Sequence, residues 1–123
     1  MKFKLIIAFL PDAHLEDVLK AARSAGATGS TVITSARGEG LAPERKFLGL
    51  DVASHRNLVF WLVEEAVAPT VLREISTVGR FEEERGAGIA CQLDVEEAVG
   101  LMRQMQAIEK DRKHGAPRDA SGA

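Results

Sequence analysis

Asn57-Leu58-Val59-Phe60-Trp61-Leu62-Val63 and Leu5-Ile6-Ile7-Ala8-Phe9-Leu10 are the two stretches whose reading decides the fold. Neither alternates apolar with polar residues. Successive side chains of a strand point to opposite faces, so a strand with one wet face alternates, whereas one covered on both faces reads as a continuous apolar run. Both runs are short and rich in β-branched and aromatic residues, which favours strand over helix. They are predicted to be the two central strands of a single sheet.

Outward from these runs the pattern changes period. The first strand, Phe3 to Leu10, is stopped by Pro11-Asp12, and Asp12 is the predicted N-cap of a helix. Leu15, Val18, Leu19 and Ala22 form one helical face, while Glu16, Asp17, Lys20 and Arg23 form the other, until Gly26. A tight connection, Gly26-Ala27-Thr28-Gly29, leads to a β-branched strand over Ser30 to Ala36. From Arg37 to Arg56 no period is visible, and Gly38, Gly40, Pro43 and Gly49 punctuate a charged stretch. A loop of that length inside a small domain points to function. Beyond the Asn57–Val63 strand, a second helix is predicted from Ala68 to Val78. Val71, Leu72, Ile75 and Val78 line its apolar face, and Pro69 falls in the first turn, where its missing N–H does no harm. A loop from Gly79 to Gly88 then precedes a fourth strand, Ile89 to Leu93, and Asp94 is placed to cap one helical turn over 94–99.

The resulting order, β-α-β-β-α-β, is that of an α+β ferredoxin-like domain: a four-stranded antiparallel sheet with two helices on one face. Two helices cover only one side. On the other side Phe60, Trp61 and Leu62 would leave a large apolar surface in water, at a cost of roughly 1.5–3 kcal/mol for each large side chain. A second copy of the chain is the predicted cover, and Trp61 is read as part of that oligomer core.

The chain has 123 residues, enough for one core, which sets a domain over 1–100 and an extension over 101–123. In the extension, Leu101, Met102, Met105 and Ile108 suit a helix, and the last ten residues are too polar and glycine-rich to order. Sixteen basic against 18 acidic residues give a net charge of −2, without the basic footprint of a nucleic-acid binder. The single Cys91 allows no internal disulfide and suits a reducing, cytoplasmic setting. The apolar run of residues 5–10 is short for a secretory signal and no other run spans a bilayer, so a protein that is not membrane-embedded is expected.

KLIIAFLPDAHLEDVLKAARSAGATGSTVITSARGEG, residues 4–40, resembles the opening of PII signal-transduction proteins. In those, a strand ends in Lys-Pro or similar, a helix carries Leu-x-x-Val, and a Gly-x-x-Gly-x-Thr-Val strand leads to a Gly-x-Gly loop. GAGIACQLDVEEAV, residues 86–99, is similar to the family's second Gly-x-Gly loop, strand and Asp-Val-Glu-Glu-Val signature. The resemblance covers residues 4–100. It implies a homotrimer whose sheets form a barrel, with an adenine nucleotide (ATP, ADP or AMP) as regulatory ligand in each intersubunit cleft. It also implies that the loop 37–56 reaches a regulated partner such as a membrane carrier, a kinase or a biosynthetic enzyme. The positions it assigns to the nucleotide are Thr31, Gly38, Glu39, Gly40, Val63, Gly86, Ala87 and Gly88. Glycines let backbone N–H groups approach phosphate, and a threonine hydroxyl can read an adenine edge.

The departures carry information too. Ile89 stands where the family has a phosphate-gripping Lys, Gly100 and Met102 where it has two Arg, and Leu41-Ala42 where it has Arg-Gln. The chain contains no Tyr, so a loop tyrosine cannot be modified. A weaker grip on triphosphate, a weakened case for Mg-ATP-dependent binding of 2-oxoglutarate, and a divergent branch tied to transport of bicarbonate or metal ions are the implied consequences.

Other residue patterns have plainer readings. Glu82-Glu83-Glu84-Arg85 reads as a solvated acidic turn rather than a cation site, and His14, His55 and Cys91 lack metal-ligand spacing, so no metal is expected. Phe47-Leu48-Gly49-Leu50 suits either local packing or partner docking. No nucleophile-and-base arrangement is visible, and the chain is expected not to be an enzyme. The alternatives are a small ferredoxin-like oligomeric enzyme, with His14 and His55 as first candidate bases, or a CutA-like trimer.

Overall fold

The computed structural model describes residues 2–36, 46–47, 50–51 and 56–101. Strand β1 (Phe3–Pro11) runs without a linker into helix α1 (Asp12–Ser24), and strand β2 (Thr31–Ala36) follows. Two short strands, β3 (Lys46–Phe47) and β4 (Leu50–Asp51), pair antiparallel with Phe47 opposite Leu50. The stretch from 37 to 56, expected to lack any element, thus carries a small ribbon. Strand β5 (Arg56–Glu64), helix α2 (Ala68–Gly79) and strand β6 (Ile89–Asp94) follow among the described residues, and the main sheet has the order β2-β5-β1-β6. All three of its pairings are antiparallel, and the two apolar runs are its central strands, as their composition predicted.

Register decides which half of each apolar run faces the helices. Ile6 pairs with Trp61, Ala8 with Val59 and Leu10 with Asn57, and all six side chains are buried on the helix-covered face. Val18 and Ala22 of α1 and Val71 and Ile75 of α2 pack onto them. The reading of Trp61 as oligomer core is therefore corrected: its ring is 1% exposed within one chain, at the centre of that chain's own core. Val78 also departs from expectation and is exposed. The buried stripe of α2 continues as Val71, Ile75, Gly79 at four-residue spacing.

Among the described residues, no helix covers the opposite face of the sheet. Three rows cross it: Thr31–Phe60–Ile7–Cys91, Ile33–Leu58–Phe9–Ile89, and Leu62–Leu5–Leu93. Ile33 and Leu93 are 46% and 45% exposed, and the large apolar side chains between them are only half-buried. This face is a contiguous apolar surface, larger than scattered exposed residues explain.

Two predicted caps are corrected. Asp12 is the first helical residue rather than the N-cap. Pro11 occupies the cap position in extended conformation because β1 continues to the helix boundary, and the Asp12 carboxylate accepts a hydrogen bond from Asn57 Nδ2. Asp94 caps no helical turn. The Val95 N–H donates to the Phe3 carbonyl, so the chain stays alongside β1, and Asp94 pairs with Lys4. Residues 95–101 contain no helix. The predicted helix and disordered tail of the extension otherwise lie outside the described residues.

Candidate functional site

After α2 the chain turns sharply. Arg80 takes a left-handed conformation with φ 57°, closes the helix, and forms ion pairs with Glu83 and Glu84, each at 3.2 Å. Two of the three carboxylates of Glu82-Glu83-Glu84 are thereby engaged with Arg80. The Glu83 and Glu84 N–H groups return to the Arg80 carbonyl, and the Ala87 N–H returns to the Glu84 carbonyl, so Arg80–Ala87 is a run of closed turns.

The glycines of the Gly86-Ala87-Gly88 loop are needed for different reasons. Gly86 has φ +81°, and nothing lies within 4 Å of where a Cβ would stand, so its requirement is conformational and it faces open space. Gly88 has φ +148°, and a Cβ there would come within 2.6 Å of Phe81 Cε1 and 3.0 Å of the Phe9 carbonyl oxygen. A Cβ on Gly79 would stand 2.4 Å from the same Phe81 carbon. The Phe81 ring thus packs closely against both glycines, fastening the loop to the end of α2. Ala87 is buried.

Two residues that the sequence did not single out complete this end of the sheet. Arg56, the first residue of β5, is 5% exposed, and its Nη1 donates to the Gly86 carbonyl at 3.1 Å. Asn57 is buried beside it, its amide nitrogen spent on Asp12 and its Oδ1 without a hydrogen-bond partner among the described residues. The available signal was a pair of polar residues opening an apolar strand directly after a long irregular stretch.

The remaining predicted residues lie elsewhere. Thr31 begins β2, exposed on the open face opposite Phe60. Val63 turns its side chain into the core at 3% exposure. The bond from the Glu65 N–H to the Lys2 carbonyl fixes the alternation of the β1–β5 ladder. That alternation turns the Val63 main chain toward Lys4 and the Leu62 main chain toward the β2 side. Pairing with β2 ends at Thr31–Phe60, so Leu62 presents its main chain just past the last pair, next to Thr31. Gly38, Glu39, Gly40 and His55 lie outside the described residues. Within one chain, then, Gly86, Ala87 and Gly88 gather with Arg56 at the approach to β6. Thr31 and the Leu62 main chain lie on the β2 side, across the sheet. A recess between Lys2–Lys4, Glu65 and residues 94–101 is lined by none of the predicted residues, and its Lys4 and Asp94 are already paired.

Comparison with known proteins agrees with the architecture. Among solved structures, the apo form of CPII from Thiomonas intermedia K12, a nitrogen regulatory PII-like protein, superposes with TM-score 0.60 at 19% identity. The match covers 77% of this chain and 90% of that one. CPII bound to ADP, AMP and bicarbonate gives TM-score 0.60 at 18% identity, over 80% and 94% of the two chains. A PII-like signalling protein from Thermus thermophilus gives 0.56 at 22% identity, over 77% and 87%. These likenesses establish the fold. No curated protein matches the sequence. The family model for nitrogen regulatory protein P-II matches residues 3–105, most of the chain and both glycine loops. The chain is therefore a PII-like regulatory protein and belongs to the nitrogen regulatory protein P-II family.

Proposed function

We propose that this chain forms a homotrimer that binds an adenine nucleotide between neighbouring copies and, according to occupancy, regulates a partner through residues 37–56. The observation that carries this reading is the placement of the candidate residues on opposite edges of one sheet. Neither cluster is a complete site. Gly86–Gly88 offers a loop with glycine freedom and a nearby guanidinium, suited to phosphate. Thr31 and the adjoining main chain of Leu62 offer a hydroxyl and peptide groups, suited to a base edge. Copies packed through the uncovered apolar face bring one cluster of each copy toward the other cluster of its neighbour.

CPII, which shares the fold, has been crystallised with ADP, AMP and bicarbonate. Ile89 in place of a lysine after the second loop favours ADP or AMP over ATP here, because less positive charge meets the phosphates. The partner we infer is a membrane transporter, for bicarbonate or a metal ion, with the regulator itself in the cytoplasm. No helix among the described residues is long and apolar enough to cross a membrane. Titration calorimetry with ATP, ADP and AMP, on protein whose mass in solution has been measured by light scattering, tests the reading. Saturable binding of ADP or AMP to a trimer is expected, and a monomer, or a trimer that binds none of the three, overturns it.

A further inference from the structure

Arg56 and Ala36 are Cα partners, the first residue of β5 and the last of β2, and residues 37–55 lie between them in the sequence. The Arg56 guanidinium is drawn into the protein and bonds the carbonyl of Gly86, 30 residues further along. Burying a guanidinium is costly unless its donors are used, and its planar, rigid fork fixes whatever it bonds more firmly than a flexible ammonium does. The loop it meets is held unevenly. On the Gly88 side Phe81 and the Phe9 carbonyl press close, whereas no neighbouring atom packs where a Cβ of Gly86 would stand. Packing thus secures one side of the loop, and on the other the hydrogen bond from Arg56 adds to the turn bond between the Ala87 N–H and the Glu84 carbonyl.

We propose that Arg56 is a positioning residue that couples the Gly86–Gly88 loop to the Ala36–Arg56 pair at the base of residues 37–55. Its ligand-dependent part rests on the proposed nucleotide site; the mechanical link does not. A ligand on the loop that shifts the Gly86 carbonyl pulls on the first residue of β5 and hence on its pair with Ala36. By linkage the effect is reciprocal: whatever holds residues 37–55 changes affinity at the loop by the same factor.

The test is hydrogen exchange by mass spectrometry on the full chain, comparing wild type with Arg56→Gln and Arg56→Lys, without ligand and with ADP or AMP. Without ligand, Arg56→Gln is expected to speed exchange over residues 84–88 by about tenfold, leaving α2 and residues 58–63 unchanged. Arg56→Lys, which keeps one donor and the charge, is expected to be intermediate. With ADP or AMP bound, wild type is expected to gain protection at residues 31–36 and 56–58, and Arg56→Gln to lose that gain. Unchanged exchange over 84–88 in Arg56→Gln overturns the link. Loss of protection throughout β1 and α2 in both variants also overturns it, by making Arg56 a residue of general stability. Nucleotide binding to wild type with no response at 31–36 or 56–58 overturns the coupling. If wild type binds no nucleotide while Arg56→Gln still speeds exchange over 84–88, the link stands and the nucleotide reading falls.

Discussion

Replacing Gly88 by alanine separates packing from chemistry at the loop. The added Cβ would lie 2.6 Å from Phe81 Cε1 and 3.0 Å from the Phe9 carbonyl oxygen. The ring can shift, but it also lies close to Gly79, and the Phe9 carbonyl belongs to a central strand. Overpacking of this kind costs about 1–3 kcal/mol. The φ of +148° adds a conformational penalty of about 1–3 kcal/mol for any residue with a Cβ. Gly86→Ala meets no neighbour and incurs only the penalty of its φ of +81°, about 1–2 kcal/mol. Gly88→Ala is therefore expected to be the more damaging by about 1–3 kcal/mol. The assay is urea unfolding at one fixed protein concentration, because assembly shifts apparent stability. Phe81→Leu in the Gly88→Ala background should return part of the loss, seen as coupling in a double-mutant cycle. Equal stability of the two alanine variants, or additivity with Phe81→Leu, would refute the argument. A corollary concerns ligand tests: Gly88→Asp disturbs the loop whether or not a nucleotide binds there, so Gly86 is the better position to probe.

Three further outcomes are expected. The Lys4 hydrogen bond, then its charge, holds the Asp94 carboxyl below its ordinary value, so that pair's contribution is present above the usual carboxylate range and is lost as pH falls through the lowered value. Lys4→Met should return the Asp94 titration, followed by NMR, toward ordinary, and an unchanged curve would remove the pair. Ile33→Asp and Leu62→Asp place charge on the open sheet face and should reduce the mass measured by light scattering; at the same time Cys91, beside Ile7 on that face, should become accessible to a maleimide. Retention of the assembly in both variants would show that this face is not the interface. Trp61→Ala should cost about 3–5 kcal/mol of subunit stability, whereas dilution that separates subunits should leave Trp61 fluorescence unshifted, since its ring is closed within one chain. A red shift on dilution would contradict that placement.

Much of the fold was legible because each element announces itself through period. The stripe Leu15, Val18, Leu19, Ala22 and the unbroken runs of β1 and β5 leave little choice of element or of sheet position. What a run of six apolar residues cannot convey is its orientation. Phe60, Trp61 and Leu62 are equally apolar, and only the register Ile6–Trp61, set across more than fifty residues, sends tryptophan to the core and its neighbours to the open face. The caps were misread for a related reason: Asp12 and Asp94 have the composition of helix starts, but a strand that continues pairing overrides local propensity. The site was legible in its glycines and its family motifs, not in Arg56. Its bond to Gly86 is a long-range contact between a residue type that is ordinarily solvated and a backbone carbonyl, and no local pattern records it.

The irregularity in β2 has one more implication. From Ile33 to Ala36 the strand takes three steps while its partner takes two, from Leu58 to Arg56, and Ser35 absorbs the surplus with φ 58°. The phase of the departing chain is therefore set at Ser35, before residue 37 is reached. Between 37 and 55, amino acids can be added, or removed as long as a turn remains, without altering which side of the sheet Ala36 addresses. Removing Ser35 leaves two steps against two, so Ala36 should keep Arg56 as its partner and its side of the sheet, and only the local bend of the bulge should be lost.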